Sequence, residues 1–435
     1  MQFGATDVLV LTITLGTAGV LAFLPSLRRS RAWTATTTPL ASIMGSGFLV
    51  SAPLLVGAAG LYAPLAMAAL LVVAYAVGSV IRFNIRYTEV VVGERPREAG
   101  EHTATHGHAL ATEGLWARRD RSLATDIERA SHVILAGAYL VSVTYYLSLL
   151  SAFVLDAFRW QSPFASKTFT TALLVVITSV GLWRGLRALE GVERYAVALN
   201  LGMIAALLAA LAIFHVHALS AGTWHLPAIQ PSESPLRSLR DLMGLLIVVQ
   251  GFETSRFLGA THSPEQRVRT MRIAQLISAG IYLLFTTLAL LLFHPGAPPR
   301  ASVTEIVHLV GPVAAILPLL IVIAAGVSQF SAAVADDAGC SGLLKTIFRG
   351  RVSSRIPYVL IGAGTVALAW STDVLQILSY ASRAFAVFYA FQCLVAVLVA
   401  VERRDAEGRV RIIVVGSLAA IATSAVAVFG IPAAG

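Results

Sequence analysis

Glu253 stands within an apolar stretch, in the run Val249-Gln250-Gly251-Phe252-Glu253-Thr254. A charged side chain at mid-membrane costs about 2.5–3.5 kcal/mol on insertion scales, so an acid kept there is a functional candidate by default. Three roles fit it: recognition of a substrate amine, carriage of a proton, or a structural bond across a helix break. Desolvation disfavours the charged form of a carboxyl, which suits a proton carrier. Earlier in the chain, Ile43-Met44-Gly45-Ser46-Gly47-Phe48 puts two glycines around a serine inside another apolar stretch. Such glycines either form a notch for close helix packing or interrupt the helix. An interruption frees backbone groups. The half-helix N-termini then attract an anionic group such as a carboxylate, and the freed carbonyls can hold a cation. The chemistry expected is binding and translocation of a small polar solute. Its candidates are Gly45, Ser46, Gly47, Phe48, Gln250, Gly251, Phe252, Glu253 and Thr254.

Helices that cross a bilayer must position these residues. Of 435 residues, 57% are hydrophobic and 13% charged, and the mean hydropathy is +0.78. Soluble chains carry roughly 45–50% apolar and about 25% charged residues. That excludes an ordinary soluble, disordered, fibrous or disulfide-rich protein and points to an all-α polytopic membrane protein. Cys340 and Cys393 lie in apolar segments without a CxxC partner, so neither a redox pair nor a zinc site is indicated. A span needs about 20 mostly apolar residues. Twelve candidates lie near 7–24, 40–60, 62–81, 132–157, 168–183, 196–216, 241–259, 273–293, 307–335, 356–371, 374–401 and 411–430. Asp7 stands where a cleaved signal peptide would carry Lys or Arg, so the first is expected to be a true span. With the N-terminus outside, 26 of the 32 Lys and Arg residues fall in inner connections and five in outer ones. Cytoplasmic loops carry this excess, which supports both the count and the N-out orientation. The net charge of +9 thus reflects inner loops and implies no nucleic acid. Thirty arginines against two lysines suggest a GC-rich bacterial genome, hence a bacterial cytoplasmic (inner) membrane. The polar stretch 83–130 is expected as a cytoplasmic loop. Its His102, His106 and His108 lack the cysteines or helical spacing of a zinc site and read as solvated.

The two interrupted stretches open two consecutive five-helix sets, spans two to six and seven to eleven. Odd-numbered sets place the halves in opposite orientations, and paired interrupted helices in such an inverted repeat point to a transport site. Gly45-Ser46-Gly47-Phe48 resembles the G-[SA]-G-[IF] of amino acid–polyamine–organocation (APC) transporters. Gln250-Gly251-Phe252-Glu253-Thr254, followed by Pro264-Glu265-Gln266-Arg267, resembles their sixth core helix. The stretch from Arg184-Gly185 to Leu201 resembles their fourth-to-fifth connection. Ser328-Gln329-Phe330-Ser331-Ala332-Ala333 and Cys340-Ser341-Gly342-Leu343-Leu344 resemble the end of their eighth. The resemblance covers about 39–401 and implies a LeuT-type 5+5 inverted repeat. The expected organisation is an extra N-terminal helix over 1–31, a ten-helix core over 32–401, and a C-terminal helix over 402–435. The core divides into repeats 32–220 and 236–401. An N-terminal extra helix departs from the usual APC pattern and is more like sodium–solute symporters.

The resemblance also implies roles. Phe252 matches an aromatic that covers the bound substrate. Ser328 and Ser331 match hydroxyls that, with the carbonyls of Ala41 and Met44, bind Na⁺; the alternative is that small hydroxyls ease helix packing. Asn200 stands where many proton-coupled members carry Lys. Tyr139, Ser142 and Tyr146 share one helical face, on the helix that lines the cavity in this fold. Asp336 and Asp337 are expected near the inner mouth, either gating with Arg28 or Arg82 or solvating a helix end. Arg383, inside a span, needs a partner such as Asp373 or Asp241. No HExxH, GxSxG or nucleotide-binding P-loop occurs, so no enzyme is expected. The expected function is secondary active transport of an amino acid or related amine by alternating access. The coupling ion is Na⁺ or H⁺, with no cofactor. The partners are the substrate and the lipid bilayer, and the chain acts as a monomer or homodimer. The rivals are transport of a nucleobase, organic acid or cation, and a membrane sensor built on a transporter fold.

Overall fold

The structure is a computed structural model. It describes residues 4–45, 47–89, 115–160, 162–184, 187–229, 234–293, 302–348 and 355–432. The described residues build α1 Ala5–Phe23, α2 Arg31–Gly45, α3 Phe48–Ala59, α4 Ala63–Phe83, α5 Leu115–Ala157, α6 Pro163–Arg184 and α7 Arg187–Ser220. The chain continues through α8 Pro235–Met243, α9 Pro264–Ala289, α10 Leu317–Ile347, α11 Ile356–Ser371, α12 Val374–Glu402 and α13 Arg409–Phe429. No strand occurs among the described residues.

Nine helical stretches among the described residues are long and apolar enough to cross a membrane. The three expected spans outside that set have plain reasons. The one at 356–371 is a 16-residue helix, and those at 40–60 and 241–259 are broken. Large apolar side chains such as Val72, Trp183 and Val410 face outward, as a chain solvated by lipid requires.

Several boundaries differ from expectation. The ninth span begins only at Leu317, because residues 305–316 form a short helix, Glu305–Leu309, and turns. The loop expected over 83–130 is shorter, because α5 already begins at Leu115. Glu89 and Glu128 from that stretch, and Arg82 just before it, are buried rather than solvated. His102, His106 and His108 lie outside the described residues.

The core is built on α5, which packs against α10 and α12. The extra helix α1 lies along α7, and α13 lies along α12. Asp7, at the start of α1, accepts the Ile316 amide at 2.9 Å and so ties α1 to the entry of α10. Arg383 donates to the Ala427 carbonyl at 2.8 Å, and Arg240 to the Phe429 carbonyl at 3.1 Å. Both cations therefore sit at the carbonyl end of α13, where the helix dipole favours them. Among the described residues, neither acid expected beside Arg383, Asp373 or Asp241, is ion-paired with it. Asp373 instead caps α12, accepting the Gln376 amide.

Candidate substrate site

Two broken segments cross at the centre. The first runs as α2 to Gly45 and resumes as α3 at Phe48. The second is fragmented: α8, a 3₁₀ turn Leu246–Val249, extended Gln250, left-handed Gly251 with φ of 117°, then a second 3₁₀ stretch, Phe252–Ala260. Only glycine adopts that φ without strain, and the crossing leaves no room for more. A Cβ on Gly251 would lie 2.5–2.7 Å from Ser42 and the Ile43 nitrogen. A Cβ on Gly47 would lie 2.9 Å from a methyl of Val248. Each glycine thus presses on the opposite broken segment. Tyr282 of α9 joins them, with its hydroxyl 2.9 Å from the Ile43 carbonyl and 2.5 Å from that of Val248. Carbonyls freed by both interruptions share this one donor.

The second break gathers the acid and the aromatics. The Gly251 amide and the Tyr389 hydroxyl donate to Oε2 of Glu253 at 3.0 and 2.8 Å. Oε1 is buried and accepts no hydrogen bond. Phe252 stacks on Tyr389, with ring centroids 5.3 Å apart. Gln250 donates to the Tyr146 hydroxyl at 3.1 Å, and the Thr254 hydroxyl donates to the Gly251 carbonyl at 2.7 Å. One turn from Tyr146, Ser142 donates to Asp336 of α10. Tyr139, on the same face, packs on Phe257 and Phe385. Phe48 turns away from this cluster and packs on Phe285 and Tyr282.

On α10, Gln329 donates to the Gly45 carbonyl at 2.8 Å. Ser328 faces Gly45 and accepts from Asn200 of α7 at 3.2 Å. Among the described residues, side chains donate to the Ile43 and Gly45 carbonyls of the first break. Ala41 and Met44 lie along the same α2, and Ser331 is half-buried on α10. Ser46 lies outside the described residues. Asp336 and Asp337 are 5% and 3% exposed, deeper than a helix mouth. Arg82 bonds Gln275 and lies over Tyr75, so the expected gate pair with Asp336 is not the arrangement present. No basic side chain among the described residues is ion-paired with Glu253, Asp336 or Asp337.

A separate charged cluster closes the end of the bundle that carries most of the arginines. Arg267 makes a two-pronged pair with Glu89 at 2.9 and 2.6 Å. Arg256, in the lower part of the second break, lies 2.8 Å from Glu128 of α5 and donates to Gln392 of α12 at 2.6 Å. The Gln392 amide nitrogen donates to Glu128 and Ser131, each at 2.9 Å, and its oxygen also accepts from Asn84 at 2.9 Å. Both ends of that amide are thus fully used. Sequence reasoning missed this cluster, along with Tyr282 and Tyr389. The only signal was polar residues at the ends of apolar runs, and no spacing shows that they meet.

Over residues 25–430 the chain matches a family described as an APC superfamily transporter. It is 40% identical over 382 residues to an uncharacterized protein of Aquifex aeolicus (strain VF5), covering 88% of this chain and 87% of that protein. Two mutant forms of the Eremococcus coleocola manganese transporter share the fold, with TM-scores of 0.53 and 0.54 at 11% and 10% identity. Each covers 89% of this chain and 85% of its own.

Proposed function

This chain belongs to the APC superfamily of transporters. From that premise we propose that it moves a small cationic organic solute, an amino acid or related amine, across a bacterial inner membrane by alternating access. The observation that carries the reading is the pair of buried carboxyls Glu253 and Asp336. Each is hydrogen-bonded to neutral partners and ion-paired to no basic side chain among the described residues. A buried carboxylate needs a cation or a proton. A substrate ammonium meets the need when bound, and a proton meets it when the site is empty.

Around these acids, Tyr146, Tyr389 and Phe252 supply aromatic walls. In this reading the breaks at Gly45–Gly47 and Gln250–Thr254 receive the substrate, Phe252 covers it, and Ser142 positions Asp336. The repeats form a LeuT-type 5+5 arrangement, with the N-terminus outside and the arginine-rich end in the cytoplasm. Na⁺ coupling would use Ser328 and Ser331 with the Ala41 and Met44 carbonyls; H⁺ coupling would use Glu253. Asn200, which donates to Ser328, supports Na⁺ in this reading, because it supplies an amide and not an ammonium there.

The test is uptake by purified protein in proteoliposomes. Radiolabelled amino acids, amines, a nucleobase and Mn²⁺ would each be supplied under an imposed Na⁺ gradient and then a pH gradient. The expected outcome is saturable uptake of an amine-bearing solute that collapses at least about tenfold in Glu253→Gln and Asp336→Asn, as losing a charge-assisted bond implies. Uptake of a neutral solute or of Mn²⁺ that persists in both variants would overturn the reading.

A further inference from the structure

At the end of the bundle opposite the arginine-rich cluster, a cavity of about 510 Å³ opens between the end of α5, the start of α6 and the turn leading into Glu305–Leu309. Its lining includes Asp156, Glu305, His308, Trp160, Ser302 and Thr304. The central site uses none of them.

Asp156 is out of place by every local rule. It lies in the last turn of α5, where the helix dipole opposes a negative charge. Its side chain is only 9% exposed, and its Oδ2 accepts no hydrogen bond. Nε2 of His308 stands 2.9 Å from that oxygen, an electrostatic neighbour out of line for a hydrogen bond. His308 itself is exposed on the cavity rim.

The turn after Asp156 is also unusual. Arg159 has φ of 55°, the one positive value at a non-glycine among the described residues. The Trp160 amide donates to the Leu155 carbonyl, and the Arg159 amide to that of Asp156, both at 2.9 Å. These two bonds are a Schellman close, in which glycine or asparagine normally takes the left-handed position. The close aims the chain so that Trp160 lines the cavity.

The lining chemistry selects an occupant. Two carboxylates face one imidazole, so the cavity favours a cation. Trp160 offers an aromatic face, which attracts cations. The volume suits an organic ligand. A bare metal ion is a poorer fit, because among the described residues no three His, Cys, Asp or Glu side chains group to hold one. We propose that this cavity binds a protonated organic amine. The ammonium displaces His308 from Asp156, Glu305 and the bonded Ser302–Thr304 hydroxyl pair take its two remaining N–H groups, and the carbon skeleton lies on Trp160. The site is distinct from the central one and does not depend on what the protein transports.

The test uses the full chain in detergent, with no ion gradient. Intrinsic tryptophan fluorescence is followed while 1,4-diaminobutane, n-butylamine, uncharged 1,4-butanediol or MgCl₂ is added. A saturable change is expected with the two amines alone, and it should vanish in Trp160→Phe. Asp156→Asn should weaken binding by about tenfold or more, as expected when a charge-assisted bond is lost. Glu305→Gln, at a half-buried position that folding tolerates better, should weaken it several-fold. His308→Gln removes the imidazole that stands against Asp156 and should tighten binding, a direction that mere structural damage does not produce. Glu253→Gln should leave the titration unchanged. A change that survives Trp160→Phe, an equal response to butanediol or MgCl₂, unaltered affinity in folded Asp156→Asn, or loss of the signal in Glu253→Gln would each overturn the proposal.

Discussion

Tyr282 shows what a single residue does here. A phenol has one proton to donate, yet two buried carbonyls, from Ile43 and Val248, converge on its oxygen. Tyr282→Phe keeps the ring contact with Phe48 and removes only the shared donor. A hydrogen bond contributes about 0.5–1.5 kcal/mol net, so this variant should unfold at lower temperature in detergent by a corresponding margin. It should also weaken transport, because the bond that joins one broken segment to the other through α9 is gone. The sequence offers no hint of this role. A tyrosine in an apolar helix is as good a core residue as a donor, and which it is depends on what the facing helix presents. Arg383 teaches the same lesson with the opposite sign. Its charge in a span demanded a partner, but the partner is a helix-end carbonyl rather than a carboxylate, a choice that only the docking of α13 could make.

At the scale of the element, the two interrupted helices were legible because glycine in mid-span has few uses. The structure separates those uses. Gly251 combines a left-handed φ with contact against the α2 backbone, whereas a Cβ on Gly57 in α3 would meet nothing within 4 Å. Gly251→Ala is therefore expected to destabilise the protein severely, through strain of the order of 1–3 kcal/mol plus the steric clash. Gly57→Ala should be neutral or stabilising by about 0.5–1 kcal/mol, the usual gain in a helix interior. Thermal unfolding of the two variants side by side checks this. Equal effects would mean that the crossing of the two segments is not what requires glycine at 251. The breaks could be found from composition; that they touch could not, because about 200 residues separate them and two interrupted helices can lie in one membrane without meeting.

For the whole molecule, the charged cluster of Glu89, Arg267, Arg256, Glu128 and Gln392 joins α5, α9, α12 and the segment after α4 to the second broken segment. Breaking one partner of a buried pair costs about 3–5 kcal/mol because the other charge is stranded. Glu89→Gln and Arg267→Met should each be strongly destabilising. The double variant should lose less than their sum, with a coupling of about 0.5–3 kcal/mol. The proposed alternating access requires this end to open, and the native thiols can report it. Cys393 is fully buried beside Gln392. Arg256→Gln should speed its reaction with a small water-soluble thiol reagent; an unchanged rate in folded protein would show that the cluster does not seal this end.

Some of this was determined by the amino-acid order alone. An apolar run must be helical in lipid, because nothing else satisfies its backbone there. Arginines resist crossing, so their alternation sets the expected sides. Glycine, glutamine and glutamate within such runs mark where a helix gives way. These are local or one-dimensional constraints, and they yielded the helical class and the two interrupted helices, and marked Glu253 as a candidate. Tertiary structure decided everything that depends on two distant segments meeting. Asp336 left its expected place at a mouth to bond Ser142. Glu89 and Glu128 left a supposed loop for a buried cluster. Gln329 and Tyr282, from two other helices, came to donate to the carbonyls of Gly45 and Ile43. A helix has many faces, and its sequence says which are apolar. Which polar group on one face finds which on another is set by rotation and depth, and those are fixed only when the helices pack.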